Sequence, residues 1–394
     1  MLHLNKNFIS LIIRHLSTIQ NLNKLKWETK HYLCTNYKND SMNKFFKTPF
    51  YFSLSLILIF LSACNNNSNP ELKKYTLNGR TQGTYYHIVY FAPEDKWCSK
   101  NNWQTSSEIK KGIDRILTTI DNSISLWNPN SNLNKINNNQ RNTLDNILLE
   151  NFMAAEKISK LTDGAFDISL GALIEAHGFA AKERKKLSDA EIDSMMLYVG
   201  YDKLRIEDGK LIKQYPQTRI DFNAIAQGYT TDKISQYLIR NNIKQHIVDV
   251  GGEVFASGRK PDGQQWRVAI EKPSKDMYAE REYNNFVKLE NKSIVTSGNY
   301  RKYIEEDGIR LSHTINPKTG RSVSHNLLSV SVIADDATTA DGLATAFMVM
   351  GKEKAEEFLK EHPEYDAIFI YSNSKGEIET SHTKNLDKIL ETAE

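Results

Sequence analysis

Asp341 and Thr345 are the residue pair in this sequence whose types and spacing best suit metal chemistry. They stand four positions apart in the segment 340–346 (ADGLATA), so a helix would project both side chains from one face. A carboxylate and a hydroxyl placed in this way can hold a hard divalent cation, which prefers oxygen ligands and completes its shell with water and substrate phosphate. The alternative is a local hydrogen bond between the two side chains, and the pair alone does not decide between them.

Two further segments contain groups that can approach an anion. Residues 248–253 (VDVGGE) place Gly251 and Gly252 at the end of an apolar strand, where backbone amides can face a phosphate or a flat ring; a tight turn is the alternative. Residues 221–229 (DFNAIAQGY) introduce a helix whose N-terminus could face an anion. The sequence has neither a Rossmann nor a Walker glycine fingerprint, which excludes those two phosphate-binding loops.

His313 is the histidine that lies in a turn-rich polar segment, 313–320 (HTINPKTG). The segment 296–300 (TSGNY) precedes it and adds hydroxyl groups. An imidazole titrates near neutral pH and can serve as a general base, although a lone histidine is more often structural. None of these motifs, taken separately, establishes a function.

The elements that must position these groups follow from the periodicity of the apolar residues. Helices and strands alternate without a strict βαβ rhythm, which favours an α+β fold over a doubly wound sheet. A loop rich in Asn and Ser is predicted over 121–143. Helices are predicted at 109–120, 144–158, 224–242, around Asp341 and at 353–360, and strands at 84–90, 246–250, 266–271, 286–289, 327–334 and 367–371.

Residues 42–63 have the organisation of a bacterial lipoprotein signal. Lys44 and Lys47 precede an apolar run at 50–60, and the segment ends in Leu-Ser-Ala before Cys64, as in a lipobox. The apolar run is too short to predict a membrane span. We therefore predict that Cys64 is lipidated, that residues 1–41 are a mispredicted extension, that 64–75 form a tether and that 76–394 form the folded domain.

The charge and the cysteines narrow the classes of function. The full sequence carries a net charge of +3, but residues 1–63 hold eight Lys or Arg and two acids, so the chain from Cys64 onward carries −3. The basic residues belong to the targeting segment, and nothing in the remainder argues for nucleic-acid binding. After removal of Cys34 and lipidation of Cys64, Cys98 is the remaining thiol. An intramolecular disulfide and a thiolate metal site are both excluded.

Taken in order, the motifs resemble the ApbE family, which are bacterial FAD:protein FMN transferases and often lipoproteins. The resemblance extends from about residue 76 to 385, and the order of the motifs is specific although each motif alone is not. The motifs are GTY at 83–85, SxSxW at 123–127, DGAFDIS at 163–169, the segment 221–232, VGGE at 250–253, TSGNY at 296–300, the segment 313–320 and ADGLAT at 340–345.

The resemblance implies a reaction and its catalytic residues. Such enzymes cleave the pyrophosphate of FAD and join FMN through a phosphoester to a Thr or Ser of a target protein, releasing AMP, usually with Mg²⁺. The family's metal ligands fall on Asp341, Thr345 and the main-chain carbonyl of Ala224, and its candidate base falls on His313. The resemblance thus makes His313 and Asp341 the catalytic residues, and phosphoryl transfer mainly needs such positioning and charge neutralisation.

The resemblance also implies an α+β fold, a single mixed α/β catalytic unit with the flavin site between lobes. Trp127, whose aromatic face could stack on the isoalloxazine, replaces the Tyr that is common in transferases. Gln227 replaces a Lys of many relatives, which removes one cation from the flavin or phosphate contacts. The FAD-binding residues that the resemblance implies are Thr84, Trp127, Asp167, Gln227, Gly251, Gly252, Ser297 and Gly298.

Two alternatives to the transferase remain. With water in place of the acceptor hydroxyl, the same centre would be a pyrophosphatase that converts FAD to FMN and AMP. A non-catalytic flavin-binding lipoprotein, or the older interpretation of the family as thiamine-related, would not need Asp341, Thr345 and His313 together. As a transferase, the protein is expected to act on flavin-acceptor subunits of membrane redox complexes and to be lipid-anchored on the periplasmic side, most simply at the inner membrane.

Overall fold

An antiparallel sheet of eight strands forms the centre of the fold in the computed structural model, which describes residues 70–178, 187–271, 283–299, 303–306, 309–312 and 314–392. The strands are β1 (Leu72–Thr81), β2 (Thr84–Pro93), β3 (Leu204–Glu207), β4 (Lys210–Lys213), β5 (His246–Val250), β6 (Glu253–Ser257), β7 (Trp266–Glu271), β8 (Tyr283–Leu289), β9 (Lys292–Gly298), β10 (Tyr303–Glu306), β11 (Ile309–Ser312), β12 (Leu327–Ala334), β13 (Asp366–Ser372), β14 (Ile378–His382) and β15 (Leu390–Thr392).

The α-helices of the same residues include all five that the sequence analysis predicts and four shorter ones that it does not. Two short 3₁₀ helices, Tyr201–Lys203 and Lys384–Lys388, accompany them. The α-helices are α1 (Asp95–Lys100), α2 (Ser106–Ile124), α3 (Asn132–Asn137), α4 (Asn146–Leu161), α5 (Gly171–Ala176), α6 (Asp189–Met196), α7 (Ala226–Arg240), α8 (Ala337–Met350) and α9 (Lys352–Glu361).

The strand order confirms the α+β class. The large sheet has the order β1-β2-β5-β6-β9-β12-β13-β14, and every neighbouring pair in it is antiparallel. A second sheet has the order β15-β8-β7, and β3-β4 and β10-β11 form two-stranded ribbons. A doubly wound sheet would instead contain parallel strands joined by crossover helices.

The two faces of the large sheet are covered by different layers, because successive side chains of a strand point to opposite faces. On one face, Ile88 and Val248 pack with residues of α2 and α7, while Val330 and Val332 share a core with α4 and α8. On the other face, Val254 and residues of neighbouring strands pack against β7 and β8 of the small sheet. Helices and the small sheet thus enclose the large sheet from both sides.

Two predictions about local structure are wrong. The tether predicted for 64–75 ends earlier, since Leu72–Tyr75 already belongs to β1 and pairs with β2; Tyr75 stacks on Tyr90 at 5.2 Å between ring centroids. The loop predicted for 121–143 contains α3, an Asn-rich turn that propensity does not favour. It forms because Ile136 and a neighbouring Leu are buried and because the Ser131 side chain accepts a hydrogen bond from the Asn134 N–H at 3.0 Å.

Some predictions concern residues outside the described ranges. The signal at 42–63, the lipidated Cys64 and the base His313 are among them. Within the described ranges, every helix is too short or too polar to cross a membrane.

Candidate functional site

A cavity of about 1190 Å³ collects the ligand residues that the sequence predicted. It is lined by the turns that end β1 and β5, the end of β9, the beginning of α7 and one face of α8. His313 is not among the described residues, but Thr314 and Ile315, which follow it, line the cavity. The predicted ligand residues that line the cavity are Thr84, Trp127, Asp167, Ala224, Gln227, Gly251, Gly252, Ser297, Gly298, Asp341 and Thr345.

Asp341 is a buried carboxylate on α8, with 6% of its surface exposed. Its Oδ2 accepts a hydrogen bond from the backbone N–H of Gly228 at 3.0 Å. Burial raises the pKa of Asp341 well above its usual range, the Gly228 N–H opposes this shift, and the nearby Asp232 carboxylate adds to it. A buried carboxylate with so little compensation is a favourable place for a cation.

The beginning of α7 leaves a backbone carbonyl available next to Asp341. Inside the helix the Tyr229 N–H donates to the Ile225 carbonyl at 2.9 Å, as in any α-helix. One residue earlier the Gly228 N–H donates to Asp341 instead. Within the described residues, the Ala224 carbonyl therefore accepts no backbone hydrogen bond. The main-chain ligand expected at Ala224 thus lines the cavity with a carbonyl that no described backbone N–H occupies.

Thr345 lies one turn after Asp341 on α8, and both residues line the cavity. Its Oγ1 is 3.5 Å from Oγ of Ser297, at the end of β9. Because Asp341 is bonded to Gly228 and Thr345 lies beside Ser297, the spacing is not explained by a hydrogen bond between Asp341 and Thr345. The helix instead presents both oxygen groups to the same space.

These groups fit a hard divalent cation. The carboxylate, the hydroxyl and the open carbonyl are all oxygen ligands, which Mg²⁺ prefers to nitrogen or sulfur. Over the described ranges, no three His, Cys, Asp or Glu side chains cluster as an all-protein metal site would require. A cation held here would complete its shell with water or substrate oxygens, which suits a site where the metal meets a phosphate.

The approach of α7 to α8 depends on Gly228. A Cβ atom at this position would lie 2.3 Å from the Ala337 carbonyl oxygen and 2.8 Å from Cβ of Asp341. Four residues later, Asp232 reaches the N-terminus of α8, where its Oδ1 accepts from the Ala337 N–H at 2.8 Å and its Oδ2 from the Thr338 N–H at 2.9 Å. Burial raises the pKa of Asp232 to about 6. One face of α7 thus contacts both Asp341 and the start of the helix that carries it.

The glycine turn between β5 and β6 differs from the expectation. Its two amides do not face a phosphate: the Gly251 N–H donates to the Tyr85 carbonyl at 3.0 Å and the Gly252 N–H to Asp249 Oδ1 at 2.9 Å. Gly251 has φ +72°, a conformation that favours glycine. A Cβ atom on it would lie 2.8 Å from the Thr84 side chain and 2.9 Å from Nε2 of Gln227. The glycines therefore provide space for a ligand rather than donors.

Asp167 and Asp221 are brought together by a backbone hydrogen bond from the Asp221 N–H to the Ile168 carbonyl at 2.8 Å. Asp167 accepts from the Ser169 N–H at 2.7 Å and the Tyr201 N–H at 2.8 Å, and burial raises its pKa. Burial raises the pKa of Asp221 to about 6. Asp221 also lines the cavity, whereas its sequence position predicts only that it precedes α7.

Trp127 lies at the rim of the cavity, with 61% of its surface exposed, which leaves a ring face open to a flat ligand. Gln82, which the sequence analysis did not select, lies in the two-residue turn before β2 with φ +49°. Its Nε2 donates to Thr230 Oγ1 at 2.7 Å, while its Oε1 is buried and has no hydrogen-bond partner among the described residues. The position of Gln82 directly before the GTY motif was the available signal.

The comparisons with known proteins agree with this geometry. Residues 82–369 match the model of the ApbE family. The chain belongs to the ApbE family. It is 32% identical to the FAD:protein FMN transferase of Haemophilus influenzae over 85% of this chain and 95% of that protein, and 33% identical to that of Vibrio cholerae over 75% and 86%.

Solved ApbE structures share the fold. The flavin transferase ApbE of Vibrio cholerae superimposes with a TM-score of 0.71 at 30% identity, over 81% of this chain and 99% of that one. The apo form of the Pseudomonas stutzeri flavinyl transferase ApbE gives a TM-score of 0.71 at 29% identity, over 82% and 98%. The family and the α+β fold implied by the motifs are thus confirmed.

Proposed function

We propose that this chain is an FAD:protein FMN transferase that depends on Mg²⁺ and attaches FMN through a phosphoester to a Thr or Ser hydroxyl of a target protein. The observation that carries the proposal is the set of oxygens at Asp341, Thr345 and Ala224, which meet in one cavity of an ApbE chain. The names of the relatives, FAD:protein FMN transferase, support the same reaction.

The chain's residues divide into three groups by the part of the reaction they serve. Asp341, Thr345 and the Ala224 carbonyl would hold Mg²⁺, which supplies charge neutralisation at the phosphate oxygens. Trp127 would support the isoalloxazine ring from the rim. The space beside Gly251, bordered by Thr84 and Gln227, would take part of the nucleotide chain.

The chemical step is the attack of the acceptor hydroxyl oxygen on the phosphorus of the FMN half of FAD. The new P–O bond joins FMN to the protein, and the pyrophosphate P–O bond breaks. AMP leaves with the bridging oxygen and the electron pair of that bond. His313 would accept the hydroxyl proton as general base. Its neighbours Thr314 and Ile315 line the cavity, which supports this role.

A pyrophosphatase reaction is the second candidate, because water could take the place of the hydroxyl in the same cavity. FAD would then yield FMN and AMP with no labelled protein. A non-catalytic flavin-binding protein would release no AMP at all. The burial of Asp341 argues against a mere binding protein, since a buried ionisable group that accepts one hydrogen bond is costly and is retained where it has a use.

We further propose that the protein is a lipoprotein anchored through Cys64 on the periplasmic side, at the inner membrane. The lipobox-like ending of the segment 42–63 supports this proposal. The partners would be flavin-acceptor subunits of membrane redox complexes, which a lipid-anchored transferase can reach along the membrane.

The test is a labelling reaction with the chain from Asn65 onward, FAD, Mg²⁺ and a purified acceptor subunit, followed by a denaturing gel viewed by flavin fluorescence. We expect a fluorescent acceptor band and an equal amount of AMP, and we expect both to disappear with EDTA. Free FMN and AMP without a band would favour the pyrophosphatase. Intact bound FAD without AMP would leave only a binding protein.

A further inference from the structure

Strand β7 is an edge of the small sheet, whose order is β15-β8-β7. Five consecutive residues of this strand, Arg267–Glu271, line the cavity. Because successive side chains of a strand point to opposite faces, a space that touches five in a row lies along the edge of the strand and not over one face. The cavity therefore runs beside the backbone of β7.

The register of the small sheet shows which backbone groups face the cavity. The Lys288 N–H donates to the Ile389 carbonyl at 2.9 Å, so the backbone polar groups of Lys288 point toward β15. Arg267 pairs with Lys288 across the β7-β8 ladder. The polar groups of Arg267 point away from β8, and those of Ala269, two residues on, do the same. Within the described residues, the backbone N–H and C=O groups of Arg267 and Ala269 have no hydrogen-bond partner.

The edge is held firmly although it is open. The Arg267 guanidinium lies 3.7 Å from the ring centroid of Phe286, and its Nε donates to Glu391 Oε2 at 2.8 Å. Lys288 also contacts Glu391, at 2.6 Å. Natural proteins usually protect an open edge by covering it or by placing a proline or a lysine on it. An edge that no described residue pairs with, and that lies inside a cavity, indicates a place for another strand.

The spacing and the volume identify the kind of occupant. The outward N–H and C=O groups of Arg267 and Ala269 repeat every two residues, about 6.7 Å, which another extended polypeptide matches and a nucleotide does not. The cavity of about 1190 Å³ is also larger than the roughly 300–1000 Å³ of an ordinary ligand pocket.

We propose that β7 binds the acceptor protein by strand addition. An extended segment of the acceptor pairs with the free edge of β7, and this pairing brings its Thr or Ser hydroxyl into the cavity that holds Asp341. The main-chain pairing supplies affinity without regard to side chains, so acceptors with different flanking sequences can share one site. The inference rests on the proposed transferase function and adds the way in which the protein substrate is held.

The experiment compares two proline substitutions on free edges. Ala269→Pro removes an outward N–H of β7 and leaves the ladder to β8 intact, because its neighbours on either side make that ladder. The matched control is Thr380→Pro in β14, the edge strand of the large sheet. The Asn373 N–H donates to the Glu377 carbonyl at 2.8 Å, so in this antiparallel ladder every second residue of β14 from Glu377 bonds to β13. Thr380 lies between two such residues, and its N–H therefore points away from β13; its side chain is exposed.

We expect Ala269→Pro to raise the KM for the acceptor subunit at least tenfold, because both strand pairing and approach are lost. The dissociation constant of FAD and the slow release of AMP without acceptor should stay within twofold. Thr380→Pro should leave all three quantities within twofold. Calorimetric melting checks that both variants fold, and hydrogen exchange of wild-type Arg267 and Ala269 should slow when the acceptor is added.

Three results would overturn the proposal. An unchanged acceptor KM in Ala269→Pro would show that the edge does not bind the acceptor. An equal loss of FAD affinity would assign the edge to the nucleotide. Unslowed exchange at both amides in the wild-type complex would exclude pairing even if Ala269→Pro fails to fold. Failure of the transferase function itself would appear separately, as the absence of any labelled acceptor with the wild-type chain.

Discussion

At the scale of single residues, burial gives Asp341 its role. The carboxylate receives one N–H, from Gly228, and it lies near a second buried carboxylate, Asp232. Both conditions disfavour the charged form without a cation, and a divalent cation reverses them. The proposed metal site would therefore be most stable with a cation bound, and the metal-free protein would carry an electrostatic cost at this residue.

Asp341→Asn tests this cost and the metal site together. The amide has nearly the shape of the carboxylate and can still accept from Gly228, but it carries no charge. We expect Mg²⁺-dependent turnover to fall by at least 100-fold and Mn²⁺ binding, measured by electron paramagnetic resonance, to be lost. Without metal, the variant should be at least as stable as the wild type in urea unfolding, since the uncompensated buried charge is gone.

Asp335→Asn is the matched control for this substitution. Asp335 is exposed over 82% of its side chain and pairs with Lys292 on the surface. Its replacement should change neither turnover nor Mn²⁺ binding, because a surface pair contributes little. Undiminished metal-dependent turnover in Asp341→Asn would remove Asp341 from the metal site.

At the scale of elements, the contact between α7 and α8 holds Asp341 and Thr345, the proposed metal ligands, in place. Gly228 allows the close approach, and Asp232 binds the first two N–H groups of α8. Asp336, the N-cap residue of α8, binds a third N–H, that of Thr339, at 2.7 Å. Asp232 and Asp336 both accept hydrogen bonds from the N-terminus of α8. Only Asp232, of these two residues, lies on α7 and so connects α7 to α8.

Asp232→Asn should therefore loosen the metal site more than Asp336→Asn. An amide at 232 offers one acceptor to two N–H groups, and its NH₂ opposes the other. We expect a loss of about 1–3 kcal/mol in the free energy of unfolding and a several-fold weaker Mn²⁺ affinity. Asn is as good an N-cap residue as Asp, so Asp336→Asn should change both quantities little. Equal effects on Mn²⁺ affinity would mean that the link to α7 has no positioning role.

The longer helices and six of the fifteen described strands were predictable from the sequence, because their signals are local. The residues of β5, β7 and β12 coincide with the predicted strands, since apolar and β-branched residues dominate them. Helix α3 was missed, as the burial of Ile136 depends on residues far away in the chain. The prediction of secondary structure fails at α3 because tertiary packing overrides the low helix propensity of its residues.

The site was predictable in its residue types and less so in its hydrogen bonds. The four-residue spacing of Asp341 and Thr345 was visible in the sequence, and the resemblance added Ala224. The hydrogen-bond partners of the Gly251 and Gly252 amides were not visible in the sequence, because the pairing of β2 with β5 brings Tyr85 to Gly251. The open edge of β7 likewise depends on the strand order, which no local pattern contains.

At the scale of the whole molecule, the proposed lipid anchor determines where the enzyme acts. Cys64→Ala should abolish the lipid-anchored form, since buried acyl carbons contribute about 0.8 kcal/mol each to membrane affinity. The protein should then be soluble, or it should keep the uncleaved segment 42–63. Fractionation followed by immunoblotting measures this shift. Cys98→Ala is the matched control, because Cys98 is a buried free thiol whose loss should leave the protein in the membrane fraction. Retention at the membrane of a processed Cys64→Ala protein, from which the segment 42–63 has been removed, would contradict lipidation at this residue.

The early start of β1 limits the distance between the folded domain and a lipid attached to Cys64. Cys64 is followed by only seven residues before Leu72 begins the sheet. At about 3.5 Å per residue, this leash can extend no more than about 28 Å. An anchored molecule would search for acceptors by diffusion in two dimensions, within a thin layer beside the bilayer, where a membrane-bound acceptor has a high effective concentration. A short tether would thus restrict an anchored enzyme to acceptor sites near the membrane by distance alone, before the enzyme contacts them.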